Sequence, residues 1–321
     1  MANQNLRSIV FAVLTAGLLT ACGRDTPLPK VRGLVASITG KHHFDHFVLI
    51  VLENEDAVRV TAIPYMDSLA HRGVLLRNYY AVAHPSYPNY LALISGRTFV
   101  GRDSRVTADP VAYSRTDLGD AQLLIDAPTI VDRLEAQHTS WDAFAEDYPD
   151  TSVAPRTCDF RRNAGLYSRK HVPFLSFKGF HLHPEWCAHV RNLKWLKPDS
   201  LAAYTFITPN LIHDGHDAPL TTAVTWIRGF LEPILADSVA MKSTVIVVTF
   251  DEASSTFRES VTGRWPPNQV YTVILGPPVT AGAVSDVPYS HYSTLRTVET
   301  NFGLAPSLVA SDVAPIDGIW R

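Results

Sequence analysis

Phe47-Val-Leu-Ile-Val-Leu52 is an unbroken apolar run that stops at Glu53-Asn54-Glu55-Asp56. An apolar run without alternation describes a strand covered on both faces, the habit of central strands in parallel sheets. Thr244-Val-Ile-Val-Val-Thr-Phe250 repeats the pattern and stops at Asp251-Glu252. Working outward, Tyr204-Thr-Phe-Ile-Thr-Pro-Asn210 reads as a strand that ends in the polar run His213, Asp214, His216 and Asp217. Further strands are expected over residues 74–80, 141–145 and 270–275. Helices are expected over 64–70, from Pro128 through Leu134, over 223–235 with a bend or restart at Pro233, and from His291 through Phe302. Strands alternating with helices predict an α/β fold: one domain with a mainly parallel central sheet and helices on both faces.

Two stretches break the alternation. Residues 100–127 are polar and read as a surface excursion. Residues 148–198 scatter Pro, Arg, His and Trp and read as a loop-rich insertion within one catalytic domain, 41–321.

The beginning of the chain reads differently. Arg7 precedes an apolar run over residues 9–19, too short to span a bilayer, and then comes Leu19-Thr20-Ala21-Cys22. Residues 1–21 are therefore expected to be a lipoprotein signal peptide, Cys22 the lipidated first residue, and 22–40 a tether. A plain secretory signal is the alternative. Either reading exports the chain, and the first anchors it to the membrane of the bacterial cell envelope. In an oxidising compartment the two remaining cysteines, Cys158 and Cys187, are expected to pair. A formal net charge of −3, with 18% charged and 46% hydrophobic residues, offers no electrostatic case for nucleic acid.

Ser86 stands in His84-Pro-Ser-Tyr-Pro-Asn-Tyr-Leu-Ala-Leu-Ile-Ser-Gly96, which reads as a loop, a helix with Ser86 at its N-cap, and a glycine stop. The position suits a common capping residue. It equally suits a phosphate-binding or nucleophilic hydroxyl at the positive end of a helix. If the two apolar strands are neighbours, Glu53, Asn54, Asp251 and Glu252 meet at one sheet edge. Carboxylates so placed repel unless protonated or bridged by a cation, and all-oxygen ligation favours a divalent ion such as Mg²⁺, Ca²⁺ or Mn²⁺. Of thirteen histidines, His84, His171, His213, His216 and His291 fall at the ends of expected strands or the starts of helices, where they would line one pocket.

EN after the first strand, HPSYPNYLALISG, RKHVPF, TPNLIHDGHD, VVTFDE and PYSHYSTLRTVETNFGL occur in this order in a family that the chain resembles. It is the phosphoesterase family of bacterial and fungal acid phosphatases and phospholipases C, within the alkaline phosphatase superfamily. The resemblance runs from about Phe47 to Leu304. It implies that Ser86 is the nucleophile forming a phosphoserine, that Glu53, Asn54, Asp251 and Glu252 hold one divalent metal ion, and that His171 and His216 bind phosphate. As a separate expectation, His216 or His171 protonates the leaving oxygen. Asn89, His84, Lys170, Asp217 and His291, within or beside the same motifs, are the remaining phosphate-binding candidates. Ser86 and Asn89-Tyr90 follow the phosphatase pattern, where phospholipase relatives carry Thr and Arg. The turn after Asp251-Glu252, Ala253-Ser-Ser-Thr-Phe257, departs from it.

The expected function is thus an exported, metal-dependent acid phosphatase acting on a phosphate-ester substrate. A phospholipase C-type phosphodiesterase or a phosphoinositide phosphatase is the alternative. A serine esterase would need a G-x-S-x-G elbow, which the chain lacks. A non-catalytic ligand-binding lipoprotein would need no nucleophile.

Overall fold

β1 spans His46–Leu52 and is buried at every residue but His46, so both faces of the strand are covered, as an unbroken apolar run requires. The computed structural model that shows this describes residues 42–99, 125–149, 158–160, 163–254, 268–307 and 312–321. The leader, Cys22, the tether, most of the 100–127 excursion and residues 255–257 of the turn after Asp251-Glu252 lie outside the described residues.

After β1, α1 (Ala57–Thr61) and α2 (Pro64–Arg72) return the chain to β2 (Val74–Leu76) and β3 (Tyr79–Tyr80). Next come α3 (Ser86–Ser95), α4 (Ile130–Ala136) and β4 (Trp141–Ala145). The short α5 (Gly179–Leu182) precedes β5 (Val190–Asn192), and β6 (Tyr204–Thr208), α6 (Leu220–Ala236) and β7 (Thr244–Phe250) then alternate. β8 (Val273–Leu275), β9 (Ala283–Ser285), β10 (Tyr289–Ser290) and α7 (His291–Asn301) follow.

The eight-stranded sheet has the order β5-β4-β6-β1-β7-β8-β2-β9, with β10 and β3 forming a separate parallel pair. From β5 to β7 every pairing is parallel, whereas β8 runs antiparallel to both β7 and β2. Leu52 pairs with Phe250 and Ile50 with Ile207, so β1, β6 and β7 end together. That shared edge is where parallel sheets present their sites.

Three expectations change. The strand foreseen over 74–80 divides into β2 and β3 at a turn, and that over 270–275 shortens to β8. Residues 270–272 instead bond outside the ladder, with Val270 N–H donating to Tyr79 and Thr272 O accepting from Leu76. α6 does not restart at Pro233 but runs on to Ala236. The carbonyl that loses its partner there belongs to Gly229, which is exposed and can be hydrated.

The stretch over 148–198 carries more than loops. It supplies β5, the edge strand of the main sheet, and 3₁₀ turns at Arg169–His171 and Pro173–Ser176 that pack against α3. Its core is aromatic: Phe180 lies edge-to-face with both Trp141 and Trp186. Cys158 and Cys187 are bonded, closing a loop that carries Lys170 and His171. α3 itself is buried at all ten residues and ends at Gly96 with φ 73°. A Cβ there would also lie 2.4 Å from Ser307 Oγ, so only glycine fits. No helix among the described residues is long and apolar enough to cross a membrane.

The cysteines are 29 residues apart, and by the chain-entropy argument their bond contributes about 3–4 kcal/mol. Full reduction, confirmed by thiol titration, is therefore expected to lower Tm in calorimetry. An unchanged Tm would show that the loop is held by packing alone.

Candidate active site

The pairing of β1 with β7 delivers Glu53 and Asp251 side by side. Asp251 N–H donates to the Leu52 carbonyl (2.8 Å), and Asn54 N–H donates to Asp251 Oδ1 (3.0 Å). Asn54 adopts the left-handed conformation at φ 47°, which asparagine tolerates better than most residues. β6 flanks β1 on its other side, and the loop after it brings Asp214, whose carbonyl accepts the Glu53 N–H at 2.9 Å. Glu53, Asp214 and Asp251 are all inaccessible to solvent.

Ser86 meets this group from the first turn of α3. It is the first helical residue, after Pro85, and it caps nothing, contrary to the N-cap expectation. Its Oγ faces three acceptors instead: Glu252 Oε1 at 3.0 Å, Asn54 Oδ1 at 3.2 Å and Glu53 Oε2 at 3.5 Å. One hydroxyl proton cannot serve three acceptors. With its nitrogen turned inward, the Asn54 amide would donate to Ser86 Oγ, Glu252 Oε1 and Asp251 Oδ1 and accept from His216 Nε2 at 3.3 Å. With its oxygen inward it adds one more acceptor, an arrangement that suits a cation. Asp251 Oδ2, buried and without a hydrogen bond, points the same way. Glu53, Asn54, Asp251 and Glu252 thus fit an all-oxygen divalent ion.

The electrostatics follow from crowding. Burial, then the charges of Glu53 and Glu252, hold the Asp251 carboxyl well above its ordinary range. Burial and Glu53 push Asp214 up to about 6. Burial would raise Glu53 as well, but the Lys170 ammonium outweighs it and keeps that carboxyl below the usual range. Lys170 Nζ lies 2.8 Å from Glu53 Oε2, and Tyr90 hydroxyl donates to Glu53 Oε1 at 2.6 Å. His171 Nε2 stands 3.3 Å from Glu53 Oε1 and 3.6 Å from Asp214 Oδ2.

The other foreseen residues divide. His84 Nδ1 contacts Glu252 Oε2 at the partly exposed rim. His216 is bound through Nδ1 to Asp217 Oδ1 (2.5 Å), and its side chain is 41% exposed, so its other nitrogen faces Asn54 from the solvent side. Asp217 accordingly orients His216, and its negative charge disfavours direct contact with phosphate. Asn89 is wholly buried and spends its amide on the loop before Ser86. Its oxygen accepts from Val82 N–H (3.0 Å) and Ala83 N–H (2.9 Å), and its nitrogen donates to the Ala83 carbonyl (2.9 Å). His291 is also spent: Nε2 donates to the Asp251 carbonyl (2.7 Å) and Nδ1 meets the Tyr79 hydroxyl (3.2 Å). Burial pushes that imidazole down to about 4, so it stays neutral. Asn89 and His291 therefore position the site's backbone and have no free group for phosphate. His213 turns away, bound to Glu146 at 2.9 Å and stacked on Trp226.

Asp214 and the Tyr90 hydroxyl join the site without having been singled out. Tyr90 lies four residues after Ser86, on the same helix face, and that spacing was a readable signal.

A profile of the Phosphoesterase family matches residues 56–305. A phosphate-repressible acid phosphatase of Penicillium chrysogenum is 32% identical over 290 residues, covering 88% of this chain and 63% of that protein. The chain thus spans about three fifths of the length of its fungal relatives. A phosphatidylinositol-3-phosphatase of Mycobacterium tuberculosis is 30% identical over 317 residues, 97% of this chain and 93% of that one. The fold is similar to that of a Vibrio parahaemolyticus protein of the alkaline phosphatase superfamily, with TM-score 0.56 at 12% identity over 85% of this chain and 71% of that one.

Asn89→Ala strips the loop before Ser86 of its buried hydrogen bonds, leaving backbone groups unpaired at about 1–3 kcal/mol apiece. The variant is expected to lose at least about 2 kcal/mol in denaturant unfolding. A loss within about 0.5 kcal/mol would mean that the loop holds itself.

Proposed function

This chain belongs to the Phosphoesterase family, and on that premise we propose that it is a phosphoric monoester hydrolase of the acid-phosphatase kind, with Ser86 as its nucleophile. The observation that carries the reading is the Ser86 hydroxyl on the first turn of α3, facing Glu53, Asn54 and Glu252 within 3.5 Å. A reactive oxygen needs that combination of helix N-terminus and a fixed, dry approach.

Ser86 Oγ attacks phosphorus in line, the phosphorus–oxygen bond to the alcohol breaks, and a phosphoserine forms. The nearest acceptor for the Ser86 proton is Glu252 Oε1 at 3.0 Å. His216, held by Asp217 and reaching solvent, protonates the leaving oxygen; the wholly buried His171 has no such access. Water then cleaves the phosphoserine, with His216 taking its proton and Glu252 returning one to the Ser86 oxygen, and inorganic phosphate leaves. A divalent ion held by Glu53, Asn54, Asp251 and Glu252 would supply positive charge for the phosphoryl oxygens and a lowered pKa at Ser86. Lys170 adds a fixed positive charge at Glu53.

A phosphoinositide monoester is the second substrate reading. It is favoured by the Mycobacterium tuberculosis phosphatidylinositol-3-phosphatase, whose length this chain nearly matches. Export and acylation at Cys22 belong to the same proposal and rest on the leader sequence.

Ser86→Ala is expected to reduce kcat on a phosphomonoester by about a thousandfold or more while the protein stays folded. Acid-quenched wild type should carry labelled phosphate that the variant lacks; turnover within tenfold of wild type sinks the nucleophile assignment. Chelation or Asp251→Ala is expected to abolish turnover, and Mg²⁺ or Mn²⁺ to restore only the chelated wild type. Activity that persists in protein shown by elemental analysis to be metal-free removes the ion from the reaction. Cys22→Ser is expected to shift the protein from the membrane to the soluble fraction with turnover unchanged; wild type already soluble after export refutes the anchor.

A further inference from the structure

We infer that Glu53 Oε1, His171 Nε2 and Asp214 Oδ2 form a second divalent-cation site, one with mixed nitrogen and oxygen donors. It lies beside the all-oxygen group at Asn54, Asp251 and Glu252 and shares Glu53 with it. The inference rests on the phosphatase reading of that group and extends it.

The tautomer of His171 carries the argument. Its Nδ1 lies 3.0 Å from the Pro209 carbonyl oxygen, which can only accept, so Nδ1 bears the proton. In a neutral imidazole Nε2 is then a lone pair, aimed at Glu53 Oε1 and Asp214 Oδ2 at 3.3 and 3.6 Å. The three ligand atoms lie within 4.8 Å of one another, on residues no more than 1% exposed. Neither His171 Nε2 nor Asp214 Oδ2 makes a hydrogen bond. Three buried electron-rich atoms facing inward cost free energy unless a positive charge lies among them.

The surrounding contacts suit ligands held in advance. The Pro209 carbonyl orients His171, the His216 N–H donates to the other Asp214 oxygen at 2.8 Å, and the Tyr90 hydroxyl orients Glu53. A carbonyl or carboxylate behind each ligating imidazole is the usual support of a metal site. Lys170 takes the opposite oxygen of Glu53, at 2.8 Å. One imidazole with two carboxylates favours Zn²⁺, Mn²⁺ or Co²⁺ over Mg²⁺ or Ca²⁺. The rival source of positive charge is a proton on Nε2, which would donate to both carboxylates and bind no ion.

Counting ions separates the two. Full-length protein freed of metal is titrated with Co²⁺, desalted and assayed for bound cobalt, with circular dichroism as the check on folding. Two cobalt ions per chain are expected in wild type, and one in His171→Ala, in Asp214→Asn and in Asp251→Ala. Should His171→Ala fail to fold, Asp214→Asn gives the same reading with its shape preserved. A single ion in wild type that His171→Ala and Asp214→Asn both retain overturns the second site and leaves the phosphatase reading intact. So do two ions retained in His171→Ala. A single ion lost in His171→Ala supports this site and counts against the all-oxygen one. The phosphatase reading fails separately, if Ser86→Ala keeps its turnover.

Discussion

The parallel pairing of β1 with β7 is the constraint on which the site depends. Because Leu52 lies opposite Phe250, the residues that follow each strand, Glu53 and Asp251, leave the sheet together. Neither can move away, since both strands are buried on both faces and locked by main-chain bonds. The fold thus concentrates carboxylates where water is excluded, and their mutual repulsion costs free energy. Glu53 stays ionised because the Lys170 ammonium faces it; Asp251 and Asp214 are driven toward the protonated form.

That cost explains why the rest of the chain converges on the same edge. The 3₁₀ turn Arg169–His171 lies within a loop closed by the disulfide, and it supplies the compensating lysine. α3, buried along its whole length, presents Ser86 and Tyr90 one turn apart, both toward Glu53. His291, at the start of α7, anchors the Asp251 carbonyl from behind. Asn268 ties the two rims together, donating to the Ala83 carbonyl and accepting from Ala253 N–H, each at 2.7 Å. Each contact fixes a group that would otherwise be free to relax the crowding, which is the sense in which the site is preorganised.

Local chemistry makes much of this legible in the amino-acid sequence. Two apolar runs without alternation are explained by central parallel strands, and they are strands β1 and β7. The helix after His84, its glycine stop and the pairing of Cys158 with Cys187 are as expected. The strand limits are less legible at 74–80 and 270–275, where side-chain pattern persists after the ladder has ended. Pattern reports burial, whereas a ladder needs a partner in register.

Residues near one another in the chain are enough to settle which segments are buried, and that acidic groups follow them with a serine at a helix start. What each polar side chain is spent on was decided only when the chain folded. Asn89 and His291 resemble ligand-binding residues by type, yet their atoms are consumed by the Val82, Ala83 and Asp251 backbones. Asp214 resembles a loop acid, yet the register of β6 against β1 turns its carboxylate toward Glu53 and His171. A polar atom is bound by whatever lies within about 3 Å in a fixed direction, and neither that distance nor that direction is a property of neighbours in sequence.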